Sequence, residues 1–271
     1  MMAAQAFIVK RVLGALATLA LFAAGCGGSE DETSGSPQPP PPPATTTAAT
    51  TTEPAVSATE VGVYFVRDGK LGFAERSVGL TPQIATATLE QLLTGPTEAE
   101  QEAGLTSDIP PSTTIVSLEV EDDQAIVALS NPLDRLGSLQ VVHTLTRLET
   151  VERVQLGQEV FASADTEEAL PAILVESPAP GETVSSPLSI EGTANTFEAT
   201  FMVELRADGQ GKPLVQDFVT ATSGNGMRGT FEDSFEFHAG GVAAGTLVVY
   251  ERSAEDNSVV NEVEIPVTIQ P

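Results

Sequence analysis

The sequence predicts two small folded domains in series: an α+β domain of order β-β-α-β-β-α-β at residues 60–165, and an all-β sandwich at 171–271. Three observations carry this. Residues 26–59 are too rich in Gly, Pro, Ser and Thr to bury a core, and apolar periodicity begins at Val61. In the first folded half, two apolar stripes at helical spacing interrupt strand-like alternation. In the second half, no helical stripe exceeds two turns, and about seven short apolar runs are punctuated by Gly, Pro, Asn and Asp, as in a β-sandwich.

In the first domain, Val61, Val63 and Phe65 alternate as one face of a strand. Arg67-Asp68-Gly69-Lys70 supplies the hairpin turn, because Asp-Gly tolerates positive φ angles, and Leu71 and Phe73 begin the return strand. Ile84, Ala85, Leu89, Leu92 and Leu93 recur at helical spacing up to Gly95-Pro96, a stop signal. Thr97-Glu98-Ala99-Glu100 reads as a capping box that opens another helical turn. Val116, Leu118 and Val120 alternate, Asp122-Asp123 turns the chain, and Val127 and Leu129 return. Val141, Leu145 and Leu148 mark a second helix, and Val154 and Leu156 a last strand. The join near Ser163-Ala164-Asp165 is polar, which predicts domains that fold separately.

In the second domain, strands are expected near 172–176, 187–192, 197–206, 214–222, 228–237, 246–252 and 259–269. The clearest stripe is Phe197, Ala199, Phe201, Val203 and Leu205, with Glu198, Thr200 and Glu204 facing outward. With no Trp and no disulfide partner for the one Cys, the core is expected to rest on Phe197, Phe201, Phe218, Phe231, Phe235, Phe237 and Tyr250.

Ahead of these domains, Lys10 and Arg11 precede an uncharged run, Val12 to Ala24. That run is too short for a helix to cross a bilayer, which takes about 20 residues, but it has the length of a signal-peptide core. Residues 1–25 are therefore expected to be an export signal. Cys26, the only cysteine, has three possible roles: an incidental small residue, a free or intermolecular thiol, or a lipid acceptor. Ala23-Ala24-Gly25-Cys26 resembles a bacterial lipobox, although Ala23 stands where Leu is preferred. The resemblance implies lipidation at Cys26 and anchoring at the outer face of the cytoplasmic membrane. Residues 26–59, with Pro39 to Pro43 and a Thr/Ala tract, then read as a disordered, partly polyproline stalk.

The net charge of −26, from 38 acidic against 12 basic side chains, excludes nucleic acid as a partner, since binding it means neutralising phosphates. It also opposes adsorption to anionic lipid, so attachment to a membrane has to be covalent. The acids are spread evenly: residues 60–165 carry 17 acidic and 6 basic side chains, and residues 166–271 carry 17 and 4.

The first half resembles the sporulation and germination domain of GerM-type proteins. Val63-Tyr64-Phe65-Val66, Leu92-Leu93-Thr94-Gly95-Pro96-Thr97, Gly104-Leu105, Ser107-Asp108-Ile109-Pro110, Val127-Ala128-Leu129-Ser130 and Thr144-Leu145-Thr146 carry that likeness. The second half is similar to the immunoglobulin-like domain of bacterial spore germination, through Ser177-Pro178-Ala179-Pro180-Gly181, Ser186-Pro187-Leu188, Gly192-Thr193-Ala194-Asn195 and Gly229-Thr230-Phe231. Together these resemblances imply a non-catalytic envelope lipoprotein that binds or scaffolds an envelope protein partner. The alternative is recognition of a wall glycan, with or without hydrolysis, but that chemistry favours exposed aromatic platforms and the chain has only Tyr64 and Tyr250 besides its Phe residues.

Catalytic chemistry is thinly represented. His143, off the apolar stripe of its helix, and His238, at a strand end, are expected at the surface or in capping roles, and they lie in different domains. No nucleophile elbow, zinc-binding helix motif or P-loop occurs. Asp208-Gly209-Gln210-Gly211 and Glu255-Asp256-Asn257-Ser258 have acidic turn chemistry but lack the alternating oxygen ligands of a calcium loop. No catalytic residue, metal or cofactor is expected.

Overall fold

A computed structural model describes residues 58–271 of the chain. The expected export signal, Cys26 and the stalk up to residue 57 lie outside the described residues. The first described strand starts at Ala58, two residues inside the expected stalk, and no helix among the described residues is long and apolar enough to cross a membrane.

The α+β domain opens with a hairpin, β1 (Ala58–Arg67) and β2 (Lys70–Gly79), and the Asp68-Gly69 turn has both φ angles positive. The helix α1 (Ile84–Thr94) ends at Gly95, whose φ of 82° suits a residue without a Cβ. The short α2 (Glu98–Glu102) starts on the expected capping box: Thr97 Oγ1 accepts the Glu100 N–H, and Glu100 accepts the Thr97 N–H at 2.8 Å. Glu100 also forms a buried ion pair with Arg76 of β2, which fixes α2 to the hairpin. A second sheet follows, with β3 (Ile115–Glu121), β4 (Gln124–Leu129), β5 (Arg153–Leu156) and β6 (Glu159–Ala162) in spatial order. β4 and β5 run parallel because α3 (Arg135–Thr146) crosses between them. Val63, Phe65, Leu89, Leu92, Val141, Leu145 and Val154 meet in the core.

Two expectations change here. Val116 does not share a face with Leu118, because a register shift between Ile115 and Ser117 sends it to solvent while Ile115 and Leu118 pack on the core. β6 and a 3₁₀ helix at Ser163–Ala169 follow the strand expected to be last, both too short to leave a periodic signal.

The second domain is a sandwich. β7 (Ile173–Ser177), β9 (Leu188–Ala194) and β12 (Gly229–Phe235) form one sheet, in the order β12-β9-β7. The other sheet holds β10 (Thr200–Ala207), β11 (Val215–Thr220), β13 (Ala243–Arg252), β14 (Val259–Ile269) and the two-residue β8 (Thr183–Val184), in the order β11-β10-β13-β14-β8. All seven expected strands are present, and β8 is the addition. Phe201, Val203 and Leu205 point inward as expected, joined by Ile190, Phe231, Leu247, Val249 and Ile265, and the Phe201 and Phe231 rings meet edge-on at 4.9 Å.

The expected aromatic core is only partly correct. Phe197 falls in a 3₁₀ turn before β10, where it is exposed, and Phe218 lies on the outer face of edge strand β11. Tyr250 is buried, but on that same outer face, against Glu204. Glu204 is thus outward-facing yet only 7 % exposed, because long neighbours on its own face cover it. It accepts hydrogen bonds from Tyr250 (2.8 Å), Gln216 (3.0 Å) and Arg206 (2.8 Å). Desolvation works to raise the pKa of this carboxyl, and the three hydrogen bonds outweigh it, so the group stays below the usual carboxylate range.

Candidate functional site

Ser163-Ala164-Asp165 is exposed, as its polar character predicts, but the domains also meet just beyond it through buried side chains. Tyr64 of β1, Leu71 of β2, Leu139 of α3 and Leu174 of β7 close over Ala169 and Leu170 in a buried cluster. α3 holds Tyr64 by its backbone, with Thr144 Oγ1 accepting its N–H and Gln140 Nε2 donating to its carbonyl, both at 3.1 Å. The Tyr64 hydroxyl donates to Glu176, whose other oxygen accepts from Arg147 at 2.9 Å. Burial first, and the Glu176 carboxylate second, push the Tyr64 phenol well above its ordinary pKa. A second ion pair joins Arg228 to Glu167 at 2.9 Å, and Arg228 also donates to the Pro171 carbonyl at 2.7 Å. Asn195 completes this corner through Glu167 at 3.1 Å.

Beside this seam runs a cleft of about 570 Å³, a size within the roughly 300–1,000 Å³ typical of ligand sites. Its first wall is the β1–β2 turn with Arg67, Asp68 and Lys70, backed by Glu102 and Gly104 at the end of α2. The second wall is Pro171 and the segment Asn261–Glu264 of β14. Arg67 reaches across: its stem lies over Gly104, whose φ of 83° and bare Cα give it room, and Nη1 donates to the Glu264 carbonyl at 2.9 Å. Lys70 donates to the Glu168 carbonyl at 2.7 Å. Desolvation lowers the Arg67 pKa, with Asp68 opposing, and among the described residues no carboxylate forms an ion pair with its guanidinium.

Comparison with known proteins places both halves. Residues 62–159 match the family model described as sporulation and spore germination, and residues 172–258 match that of the immunoglobulin-like domain of bacterial spore germination. The chain carries both domains, in that order. A 2.5 Å crystal structure of a candidate lipoprotein from Clostridium perfringens is similar at 12 % identity and a TM-score of 0.27, over 43 % of this chain and 95 % of that one. No curated protein matches the chain. The β14 wall of the cleft, Asn261–Glu264, lies beyond the segment matched by the immunoglobulin-like family.

Of the residues singled out in the sequence, Cys26 lies outside the described residues. His238 is exposed in the loop after β12. The turns at Asp208–Gly211 and Glu255–Ser258 are closed by their own hydrogen bonds, with Gln210 N–H on the Ala207 carbonyl and Asp256 accepting from Ser258. Among the described residues, no group of three or more His, Cys, Asp or Glu side chains is placed to hold a metal. Sequence reasoning missed the seam and Arg67. The run Val63-Tyr64-Phe65-Val66 was the available signal, because four apolar residues in succession mean a strand buried on both faces.

His143 is a correction. It is 4 % exposed rather than at the surface, because the germination-type domain buries both sides of α3: one under its own core, the other under the seam. The Thr166 hydroxyl donates to the Ser163 carbonyl at 2.6 Å, so it accepts from His143 Nδ1–H at 2.9 Å, and Nε2 stays unprotonated and has no partner among the described residues. Burial first, then the charges of Arg147 and Arg228, lower its pKa from 6.5 to about 3. Below pH 6.5 the unfolded chain takes up a proton that the folded chain refuses. Stability should therefore fall by about 1.4 kcal/mol per pH unit from this residue alone, from pH 6.5 down to about 3. Denaturant melts of His143→Gln should show a shallower loss over that window than wild type. Equal slopes would mean that His143 is not held neutral.

Proposed function

We propose that the chain is a non-catalytic, lipid-anchored protein of the bacterial cell envelope that binds or scaffolds a protein partner in a complex of the sporulation and germination type. The observation that carries this reading is the pairing of two germination-type domains across a buried seam, which presents both to a partner as one body. An export signal followed by Cys26 supplies the anchor, and the stalk supplies the reach. The exposed apolar side chains of the sandwich, Phe197, Phe218 and Met227 among them, are of the kind protein interfaces cover. Both tyrosines are buried, which among the described residues leaves a glycan platform only these phenylalanines as exposed aromatic rings.

Replacing the anchor tests the reading. Cys26→Ser should move the protein from the membrane fraction to the soluble fraction, or leave it uncleaved, and should abolish labelling by a fatty-acid analogue. In-cell cross-linking should then lose the partner captured by wild type. A wild-type protein that takes up no label removes the anchor, and one that cross-links to nothing removes the scaffolding role.

A further inference from the structure

We infer that the cleft between the two domains is a binding site for a compact zwitterion of the α-amino-carboxylate type, an amino acid or short peptide, whose carboxylate sits on Arg67 and whose ammonium sits among the acids of the walls. The inference rests on the reading of the chain as a binding module and gives that module a small-molecule site.

Arg67 is the unusual feature. Charges withdrawn from water in folded proteins are normally paired, and the other guanidiniums at the seam, Arg147 and Arg228, each have a carboxylate. Arg67 is half-buried, enough for desolvation to lower its pKa against the opposing charge of Asp68, yet its one protein acceptor among the described residues is a neutral carbonyl, that of Glu264. Of its five N–H donors, those on Nε and Nη2 have no hydrogen-bond acceptor among the described residues, and a planar fork of this kind fits a carboxylate with two parallel hydrogen bonds.

The rest of the lining selects against a plain anion. Four carboxylates, Asp68, Glu102, Glu262 and Glu264, line the same cleft against Arg67 and Lys70. A ligand with only negative charge meets a net negative wall inside a protein of charge −26. A ligand with only positive charge leaves Arg67 unpaired. A zwitterion satisfies both, and the cavity of about 570 Å³ accommodates a single amino acid or a peptide of a few residues. Glu102 and Glu262 stand on opposite walls and make no side-chain hydrogen bond among the described residues, so either can receive the ammonium.

The test is calorimetric titration of the purified full-length protein in detergent with alanine and with alanyl-alanine, each also in N-acetylated and C-amidated form. The free zwitterions should bind, and blocking either end should weaken binding by about tenfold or more, the scale of a charge-assisted hydrogen bond. Comparing alanine with alanyl-alanine distinguishes a single amino acid from a peptide. Arg67→Gln should abolish the binding that requires a free carboxylate. Because Arg67 also touches β14, the double variant Glu102→Gln with Glu262→Gln, which breaks no side-chain hydrogen bond among the described residues, serves as the second test: it should weaken binding of the free amine and leave the melting temperature unchanged. No heat from either zwitterion overturns the inference, as does equal binding of blocked and free forms or retention of binding in Arg67→Gln. Partner capture that survives such a failure leaves the scaffolding reading intact, and binding without partner capture leaves the cleft intact and removes the scaffold.

Discussion

Phe201→Ala should destabilise the protein by about 3–5 kcal/mol, the usual result of emptying a fully buried aromatic site. The ring is 2 % exposed at the centre of the sandwich and meets Phe231 edge-on, so truncation removes both apolar burial and a favourable ring–ring contact. A small domain is held together by roughly 5–15 kcal/mol, so a loss of this size shows directly as a lower denaturant midpoint. Glu204→Ala makes an informative contrast. The alternation of β10 alone marks Glu204 as a surface residue whose loss falls within about 0.5 kcal/mol of wild type. The structure instead makes it the shared acceptor of Tyr250, Gln216 and Arg206, and removing it leaves a buried phenol without its partner. The expected loss is therefore about 1–3 kcal/mol. Parallel melts decide the matter: a neutral Phe201→Ala would mean that the inward face of β10 is wrongly assigned.

Gly192→Ala should be at least as damaging, by about 3 kcal/mol or more, for the opposite reason. Gly192 lies in β9, the middle strand of its sheet, with Thr193 and its neighbours paired to β7 on one side and β12 on the other. A Cβ there would overlap the carbonyl oxygen of Leu174 and sit 2.8 Å from Phe231 Cζ. The carbonyl belongs to a paired strand and cannot swing away, so β7 or β9 has to shift, and overpacking a core commonly costs about 1–3 kcal/mol even where side chains yield. Gly211→Ala is the control. Its Cβ would meet nothing within 4 Å, and the expected change is within about 0.5 kcal/mol. Gly192→Ala that expresses in soluble form and melts with wild type would show that β7 and β9 are not packed as described.

Local devices were legible in the sequence because the residues that build them are neighbours in the chain. The Asp68-Gly69 turn, the Thr97–Glu100 capping box, the Gly95 stop and the seven main strands of the sandwich are of this kind. What escaped is set by contacts between distant residues. Tyr64 and Glu176 are 112 positions apart, and Arg67 and Glu264 are 197 apart, so no window of periodicity holds both partners. Glu204 and His143 were misread for a related reason. Alternation and helical spacing give the direction in which a side chain leaves the backbone, but not what lies over it. For Glu204 that is a neighbouring tyrosine and glutamine, and for His143 it is the seam. Val116 shows the reverse case, where a bulge changes the direction itself.

The seam has a colloidal consequence. The segment from residue 58 onward holds ten Lys and Arg residues. Arg67, Lys70, Arg147 and Arg228 are drawn to the join between domains, and Arg76 is sequestered with Glu100. The periphery is left with few cations to offset its carboxylates, so two molecules brought close together repel each other in almost any orientation. That repulsion reaches about 10 Å at 0.1 M salt and about 30 Å at 0.01 M. The spacing between molecules thus becomes a quantity that ionic strength tunes, and a polycation or a basic protein face can draw such molecules together where they would not gather alone.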